Sequence, residues 1–560
     1  MKSSVLFPRH PKQHLQKLIR LESKDLFAVL AFALASGVMA LATPIAVQAL
    51  VNTIAFGVLV QPLVVLMLML FGCLALNSLL NGLQIFVVEM VQRRLFVRLV
   101  SQISATFTQG QLNHPLFMKG SNLANYYFEV MTVQKTWSNL LLDGVSYGLQ
   151  TLIGLILLAF YHPALLGFDA LIIASLYVIF RVLGKDGVET AVAESEAKHA
   201  VASWLQELPR NPFAIRYAQG QTWGSERSNH LTKNYLERSQ DHFKVLMQQQ
   251  VAILGLYAVA NSALLGLGGW MVIERQLTLG QLVAAELIVS AMLSGVTRLG
   301  KTITSYYDLM AGMDKLSYLL DLPDEVQSHE ALQRDVAFKN MTLDRLIIRR
   351  GDNENKSVLK VPHLTMTQSE KYVFLTPDSG ASRSLLETLT GLLAPAEGSI
   401  AINGIDYRTL GLDAFRHESA FVMAPEWFQV SILENIRMGS PSIGAEQIQE
   451  SLTQVGLDRV IQGLPEGVQS ILNGTGSPLD YEQLCRLTLA RALAAHPRLL
   501  MVGPLIDMVP EPLLPLILDA ILNPEGTWTL ILVTANPKVH SIAQGRARMI
   551  LLEPEFKREG

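Results

Sequence analysis

The sequence predicts a chain in two parts, a membrane-spanning all-α half followed by a soluble α/β half. Half of the 560 residues are hydrophobic and only 17% are charged, and the mean hydropathy of +0.30 is typical of a chain that lies partly in lipid. The long apolar segments all precede residue 305, whereas the remainder has the mixed composition of a soluble domain. A formal charge of -3 argues against a general nucleic-acid-binding protein.

Six apolar segments, each near the roughly 20 residues that cross a hydrocarbon core, predict six transmembrane helices. They lie at about 26–50, 62–88, 140–160, 163–183, 251–273 and 279–301. The connections after the first and third segments contain no Lys or Arg, whereas the other connections contain many. The positive-inside rule therefore predicts a multi-pass protein of the inner (plasma) membrane with both termini in the cytoplasm.

The cytoplasmic connections at 89–139 and 184–250 are much longer than turns, and their periodic apolar residues predict that the membrane helices continue into the cytosol. Residues 1–25 carry scattered cations without an apolar core before a cleavage site, so we do not expect a secretory signal. This basic, amphipathic segment is expected to lie along the inner membrane interface. Cys73 and Cys485 fall in different halves, so no disulfide framework is expected.

Polar side chains inside the predicted spans have two interpretations. Asn77, Asn81 and Gln84 share one face of the second span, and Asp169 and Glu286 are ionisable groups that lipid would penalise. One interpretation is a water-filled translocation cavity. The other is hydrogen bonding between helices, or a carboxyl that lies shallow enough to reach the interface.

The soluble half begins after a linker at 321–335 and occupies residues 336–560. Short apolar strands such as RLLMVG and WTLILVT, separated by helical stretches, predict a mostly parallel sheet that is covered on both faces. The stretch FLTPDSGASRSLLETLTGLL at 374–393 reads as strand, small-residue turn and helix, which is the layout of a nucleotide phosphate cradle.

Taken in order and spacing, several further stretches carry a resemblance to a known family. They are LTLGQLVA (277–284), LLETLTGLLAPAEGSIAINGIDYRTL (385–410), SILENIRMG (431–439), VGLDRVIQGLPEGVQSIL (455–472) and LTLARALAAHPRLLMV (487–502). With them the chain resembles an ABC exporter half-transporter over nearly its whole length. The resemblance implies a six-helix, type IV-like transmembrane domain at 26–320 and a C-terminal α/β ABC domain of the P-loop NTPase type.

The resemblance also implies a phosphate loop of the form G-x-x-x-x-G-K-[ST], in which backbone amides and the lysine grip the phosphates. The aligned positions are Thr376, Ala381, Ser382, Arg383 and Ser384, with Ser382 in the place of the lysine. Arg383 comes one residue later, a rotation of about 100° on a helix, so we expect it to point away from the lysine's target. A cradle rebuilt around this arginine is the alternative.

The other positions that the family uses for catalysis are substituted as well. Gly503 and Pro504 follow the strand LLMV, where the family has an aspartate for Mg²⁺ and a glutamate that orients water. Ala535 stands for the switch histidine, Met423 for a glutamine, and Arg345 for the aromatic residue that stacks on adenine. We therefore expect no metal site, and ATP with Mg²⁺ as a cofactor only if the altered site still binds it.

The family's signature Leu-Ser-Gly-Gly-Gln, which closes over the phosphate bound to the opposite subunit, aligns with Leu479, Asp480, Tyr481, Glu482 and Gln483. Two carboxylates are expected to oppose a phosphate, since like charges about 4 to 5 Å apart repel by about 3 to 4 kcal/mol at an effective dielectric near 20. The resemblance thus indicates a nucleotide site that keeps its skeleton and has lost its chemistry.

Three functions are compatible with these residues. The first is the non-catalytic or accessory half of a dimeric ABC export complex, as a homodimer or paired with another half-transporter and with further export proteins. The second is a nucleotide-independent membrane scaffold or sensor, and the third an ATP-driven exporter with an unorthodox site. The turns at 113–127 and 208–221 match the family's coupling elements in position and are expected to dock on the nucleotide domain.

Overall fold

The computed structural model describes residues 10–55, 60–110, 125–161, 163–217, 219–322, 338–350, 357–410, 415–416, 418–552 and 554–556. The chain divides into two compact units, Met1–Asp324 and Glu325–Gly560. Most of the predicted linker at 321–335 and of the predicted coupling turn at 113–127 lies outside the described residues.

The named secondary-structure elements in the described part of the first unit are all helices. Its helices are α1 (Pro11–Leu21), α2 (Ser23–Ala40), α3 (Ala42–Ala55), α4 (Val60–Gln109), α5 (Phe128–Asn139), α6 (Val145–Tyr161), α7 (Pro163–Tyr177), α8 (Gly187–Arg210), α9 (Pro212–Arg216), α10 (Gly220–Ile273) and α11 (Leu279–Leu320). Two π-helical turns, Leu140–Gly144 and Val178–Leu183, follow α5 and α7.

Six helical segments in the described part of this unit are long and apolar enough to cross a membrane, and they confirm the six predicted spans. Helix α4 has 50 residues and α10 has 54. At 1.5 Å per residue these helices are about 75 and 81 Å long, more than twice a hydrocarbon core of about 30 Å. The prediction that the helices run on well beyond the spans is therefore confirmed.

Helix α1 packs on the ends of α4 and α11. Its Leu18 is buried in the same apolar cluster as Leu99 and Leu316, and His14 Nε2 lies 2.6 Å from Asp321 Oδ1. The backbone amide of His10 also donates to Asp321, at 3.0 Å. The helix is thus held by protein contacts, and its placement at the membrane interface stays a prediction.

A buried tyrosine joins three helices of this unit. The Tyr307 hydroxyl on α11 donates to the backbone oxygen of Gly184 at 3.3 Å and accepts from Gln249 Nε2 of α10 at 3.1 Å. A Cβ added to Gly187, the first residue of α8, would lie 2.2 Å from Tyr307 Cζ. The tyrosine ring fits against α8 only because residue 187 has no side chain.

The second unit is α/β. Its strands are β1 (Asn340–Arg350), β2 (Ser357–Val361), β3 (Leu364–Thr367), β4 (Lys371–Leu375), β5 (Glu397–Ile402), β6 (Ile405–Asp406), β7 (Ser419–Val422), β8 (Leu499–Val502), β9 (Thr529–Thr534), β10 (Arg548–Leu551) and β11 (Pro554–Phe556). Its helices are α12 (Ser379–Leu389), α13 (Tyr407–Leu410), α14 (Ile432–Arg437), α15 (Ala445–Gln454), α16 (Asp458–Gln462), α17 (Tyr481–Ala494), α18 (Leu514–Ile521) and α19 (Pro537–Ala543).

The described strands form two sheets. A parallel sheet has the order β10-β4-β9-β8-β7, and an antiparallel sheet has the order β11-β2-β1-β5-β6 with β3 paired to β1. Along β8, Leu500 and Val502 belong to one apolar cluster while Leu499 and Met501 belong to the other, because successive side chains point to opposite faces. The predicted parallel sheet with two covered faces is confirmed, and the antiparallel sheet stands beside it.

Candidate functional site

The segment aligned with the phosphate loop enters α12 directly. The helix starts at Ser379, and the N-cap residue Asp378 accepts a hydrogen bond from the Ala381 amide on Oδ1 at 2.9 Å. The Ser382 amide donates to the backbone oxygen of Asp378 at 3.1 Å. Amides of a phosphate cradle instead converge, unpaired, on the anion. Asp378 is not among the site residues predicted from the sequence, although an aspartate before a helical stretch is a standard N-cap signal.

Ser382, in the place of the lysine, is fully buried. Its Oγ lies 2.6 Å from Thr376 Oγ1. The first position of the aligned motif is therefore hydrogen-bonded to the position of the lysine, six residues later. Thr376 is also tied to the neighbouring strand, since its amide donates to the Thr534 backbone oxygen at 2.9 Å. The space between strand and helix is thus closed by two hydroxyl side chains.

Arg383 is exposed and pairs with Glu387, one turn further along α12, with 2.8 Å between Nε and Oε1. This is the outward direction that the helix rotation predicts. The Ser384 backbone oxygen accepts from Thr388 Oγ1 at 2.8 Å, and Ala381 is buried. The described contacts of Arg383 therefore lie on the surface of α12.

After β8 the chain has little room for a side chain. The Gly503 amide donates to the Val422 backbone oxygen at 2.8 Å, and a Cβ on Gly503 would lie 2.3 Å from Cδ1 of the buried Leu386. A larger residue would displace that leucine from the core. Pro504 then opens a 3₁₀ turn, Pro504–Met508.

An acidic residue that the sequence analysis did not single out lies at the end of this turn. Asp507 Oδ2 accepts from the Ala535 amide at 3.0 Å, and Oδ1 accepts from the Thr534 hydroxyl. Burial raises the pKa of the Asp507 carboxyl, and these hydrogen bonds act in the opposite direction. The sequence signal that could have identified Asp507 is its place as a lone aspartate in the apolar run GPLIDMV.

The two remaining aligned positions are in ordinary surroundings. Met423 packs, half-buried, against the apolar cluster on one face of the parallel sheet. Arg345 lies at an irregularity of β1 with φ of 44°, and its side chain is exposed, with Nε 3.5 Å from Asp344 Oδ1.

The segment aligned with the signature caps its own helix. Asp480 is the N-cap of α17: its Oδ1 accepts from the Gln483 amide at 2.8 Å, and its own amide donates to Gln483 Oε1 at 3.1 Å. This capping box uses the helix N-terminus that would otherwise attract an anion. Leu479 is buried and Tyr481 is exposed.

Glu482 is paired within the chain. Arg486 NH2 donates to its Oε2 at 2.8 Å, while Arg486 NH1 donates to the backbone oxygen of Gly456 at 2.8 Å. Two carboxylates were expected to repel a phosphate. Of these, only Asp480 has no cation among its described contacts. The expected repulsion falls accordingly.

The polar stripe of the second span forms bonds between helices. Ser36 of α2 donates to Asn77 at 2.6 Å and lies 2.9 Å from Asn81 Oδ1. Gln84 Nε2 donates to Ser146 of α6 at 3.0 Å. These contacts favour the interpretation as helix-to-helix hydrogen bonding for this stripe.

The two carboxyls in the spans differ from that stripe. Asp169 on α7 is 5% exposed, and neither of its oxygens has a hydrogen-bond partner among the described residues. Glu286 on α11 has one buried oxygen, Oε2, in the same condition. The structure thus separates the three paired amides of the predicted cavity from Asp169 and the Oε2 atom of Glu286, which have no hydrogen-bond partner among the described residues.

No protein-family profile matches the chain. Among curated proteins it is similar to the "Uncharacterized ABC transporter ATP-binding protein YknU" of Bacillus subtilis, 26% identical over 277 residues, which is 48% of this chain and 46% of the relative. It is similar to the "Alpha-hemolysin translocation ATP-binding protein HlyB" of Escherichia coli, 24% identical over 260 residues, with 46% and 35% covered. The matched region thus spans less than half of these relatives.

A longer match is the "Mycobactin import ATP-binding/permease protein IrtB" of Mycolicibacterium thermoresistibile, 23% identical over 362 residues, with 63% of this chain and 61% of the relative covered. Among solved structures, a bacterial Atm1-family ABC exporter with ATP bound superposes with a TM-score of 0.80 at 16% identity, over 95% of this chain and 94% of that chain. The chain thus has the fold of an ABC exporter: a transmembrane unit is followed by an α/β unit of the nucleotide-binding type, hereafter the nucleotide unit.

Proposed function

We propose that this chain is a subunit of an ABC exporter-type transport complex in the inner membrane, with both termini cytoplasmic, and that its own nucleotide unit does not hydrolyse ATP. It acts as the non-catalytic or accessory half of a dimer. The observation that carries the proposal is the start of α12 at Ser379, because the Ala381 and Ser382 amides are then bonded to Asp378.

Binding of a triphosphate at α12 would have to break those bonds and bring its charge next to the Asp378 carboxylate. It would do so without the lysine, since Ser382 is buried against Thr376. A charge-assisted contact is worth about 1.5 to 3 kcal/mol, and about 1.4 kcal/mol is a tenfold change in affinity. Loss of the lysine and of the free amides together should therefore lower the affinity for ATP by several orders of magnitude.

The side chains that ATP hydrolysis needs are also absent from the aligned positions. Gly503 and Pro504 have no side-chain oxygen for Mg²⁺ and no base for water, and Ala535 has no imidazole. The helix N-terminus at Asp480 is occupied by its own cap. Nucleotide that reached the site would thus find no catalytic side chain at these aligned positions.

The proposed dimer is supported by an apolar face on α10. Residues 220–250 of α10 lie outside the predicted span, yet Leu236, Phe243 and Met247 on one face of this stretch are exposed. An apolar face of this kind in water marks a protein interface. We propose that a second ABC half-transporter, either another copy or an intact relative, covers it.

The unpaired acids support a transport path in the transmembrane unit. Asp169 and the Oε2 atom of Glu286 are buried without partners among the described residues, and a carboxyl in that condition is costly unless it serves a ligand, water or a proton. We propose that these two residues, rather than the amide stripe, belong to the translocation cavity.

The test is ATP binding and hydrolysis by the full-length protein in lipid nanodiscs, alone and with an intact ABC half-transporter. Alone, the protein should show neither saturable micromolar binding of Mg-ATP nor hydrolysis above that of empty discs. Arg383→Ala tests the arginine alternative, with Arg408→Ala, another exposed and ion-paired arginine, as the matched control. ATP hydrolysis that is abolished by Arg383→Ala and unaffected by Arg408→Ala would contradict the proposal and support an ATP-driven exporter with an unorthodox site.

The second candidate, a nucleotide-independent scaffold or sensor, is favoured by the same closed site combined with the exposed face of α10. It predicts a stable homodimer whose mass and internal distances ignore Mg-ATP and which moves no solute. Co-purification with an intact half-transporter, together with substrate flux that requires both chains, would favour the transport subunit instead.

A further inference from the structure

The crevice at the carboxyl ends of β4, β8 and β9 is where parallel α/β sheets bind their ligands. In this chain the three segments that leave those strands are bonded to one another. Thr376, after β4, donates to the backbone oxygen of Thr534, the last residue of β9, from both its amide (2.9 Å) and its hydroxyl (3.2 Å). Asp507, after β8, reaches the same end of β9 from the other side.

Asp507 is the acidic member of this network. Its carboxylate accepts from one hydroxyl, that of Thr534, and one amide, that of Ala535. The Thr534 hydroxyl in turn accepts from the Asn536 amide at 2.9 Å. A hydroxyl and an amide that converge on one negative group are the donors with which proteins hold a phosphate oxygen.

The position of Asp507 in the sequence is informative. The acids that the family places directly after the strand are missing at Gly503 and Pro504, and the 3₁₀ turn Pro504–Met508 carries the carboxylate four residues further. This turn packs at the end of β8 and brings the acid to residues 534–536, beside the turn at Ala535.

We propose that Asp507 is a positioning residue that serves as a built-in anion, holding residues 534–536 against the β4–α12 segment in the arrangement that a bound phosphate would otherwise maintain. The nucleotide unit then keeps one conformation without nucleotide. The inference rests on the proposed non-hydrolysing site and names the residue that replaces its ligand.

An ordinary stabilising carboxylate would make the same contacts, so the test must detect the role of an anion. The full-length protein in nanodiscs carries Asp507→Ala, which removes the acid, or Asp507→Asn, which keeps its shape and one acceptor. Asp519→Ala is the matched control, because Asp519 is an exposed aspartate paired with Arg546. Amide hydrogen exchange at residues 535 and 536 is measured in chloride, formate and inorganic phosphate at equal ionic strength.

Asp507→Ala should speed exchange at the Ala535 amide by about ten- to a hundredfold, the loss expected for a hydrogen bond to a charged group. Exchange at the Asn536 amide should change in the same direction, because its acceptor, the Thr534 hydroxyl, loses its own partner. Formate or phosphate should restore a large part of the protection in Asp507→Ala and none in Asp507→Asn, whose side chain still fills the site. Asp519→Ala should resemble the unaltered protein. Mg-ATP should leave exchange in the unaltered protein unchanged.

Unaltered exchange in Asp507→Ala would overturn the inference, and so would a loss of protection that chloride, formate and phosphate repair equally. If Asp507→Ala does not fold, Asp507→Asn decides: exchange like that of the unaltered protein would show that the charge is dispensable. These outcomes are separate from the proposed function, which fails only if the unaltered chain binds and hydrolyses ATP.

Discussion

The aligned nucleotide site and the seventh helix of the transmembrane unit differ in how their buried polar groups are paired. At the aligned nucleotide site, Asp378, Ser382 and Asp507 each have partners within the chain. In the transmembrane unit, Asp169 lies in the apolar region of α7 with neither oxygen bonded among the described residues. Unpaired buried groups cost free energy and persist mainly where function needs them. We therefore propose that the functional polar groups lie in the transmembrane unit, while those at the aligned nucleotide site form a structural network.

The largest expected effect is in the nucleotide unit. Asn435 on α14 is fully buried, accepts from the Phe428 amide at 2.8 Å and donates to the Phe428 backbone oxygen at 2.9 Å. Asn435→Ala should lower the free energy of unfolding by about 2 to 4 kcal/mol, because buried backbone groups lose their partner. Thermal unfolding of the full chain measures this, with the partly exposed Gln454→Ala as control. If both variants melted at the same temperature, the buried hydrogen bonds of Asn435 would contribute little to the stability of the nucleotide unit.

The packing of the transmembrane unit gives the next effect. Gly187→Ala places a methyl group against the ring of Tyr307 and should cost about 1 to 3 kcal/mol by overpacking. Gly148→Ala, with open space at its Cβ, should be neutral or slightly stabilising, since alanine is the better helix former. Unfolding in nanodiscs, followed by tryptophan fluorescence, reads both variants. If Gly187→Ala left the free energy of unfolding unchanged, the helices around Tyr307 would be able to shift enough to accept the methyl group.

Asp169 gives the sharpest contrast with Asn435. Asp169→Leu should raise stability by about 1 kcal/mol, because it removes an unpaired polar group from apolar surroundings. It should also abolish transport in the reconstituted complex, whereas Asn77→Leu should leave transport intact and weaken helix packing. A destabilised Asp169→Leu protein would show that the carboxyl has a structural partner and would end the distinction between the two units.

The smallest effect concerns the cysteines. Burial raises the pKa of the Cys485 thiol to about 11, so about one molecule in ten thousand carries the thiolate at pH 7. In a Cys73→Ser background, maleimide should leave the folded protein unlabelled over hours and label it after denaturation. Rapid labelling under native conditions would show that α17 opens away from the sheet.

Local pattern was enough for much of this molecule. The six spans follow from the lengths of their apolar runs, and the buried β8 and β9 from unbroken apolar stretches between helical ones. That Ser382 aligns with the phosphate-loop lysine is likewise visible in the sequence, and the outward direction of Arg383 follows from helix rotation alone. Even the pairing of Glu482 with Arg486 has the i, i+4 spacing of a helical ion pair.

Only the tertiary structure decided which partners the polar groups find. Ser36 meets Asn77 across 41 residues, and Asp507 meets Ala535 across 28. Asp169 is left without a partner among the described residues. The sequence determined the periodicities and the residue types at the aligned positions, because both are properties of neighbouring residues. Hydrogen bonds between distant segments depend on how helices and strands pack, and that packing exists only in the folded chain.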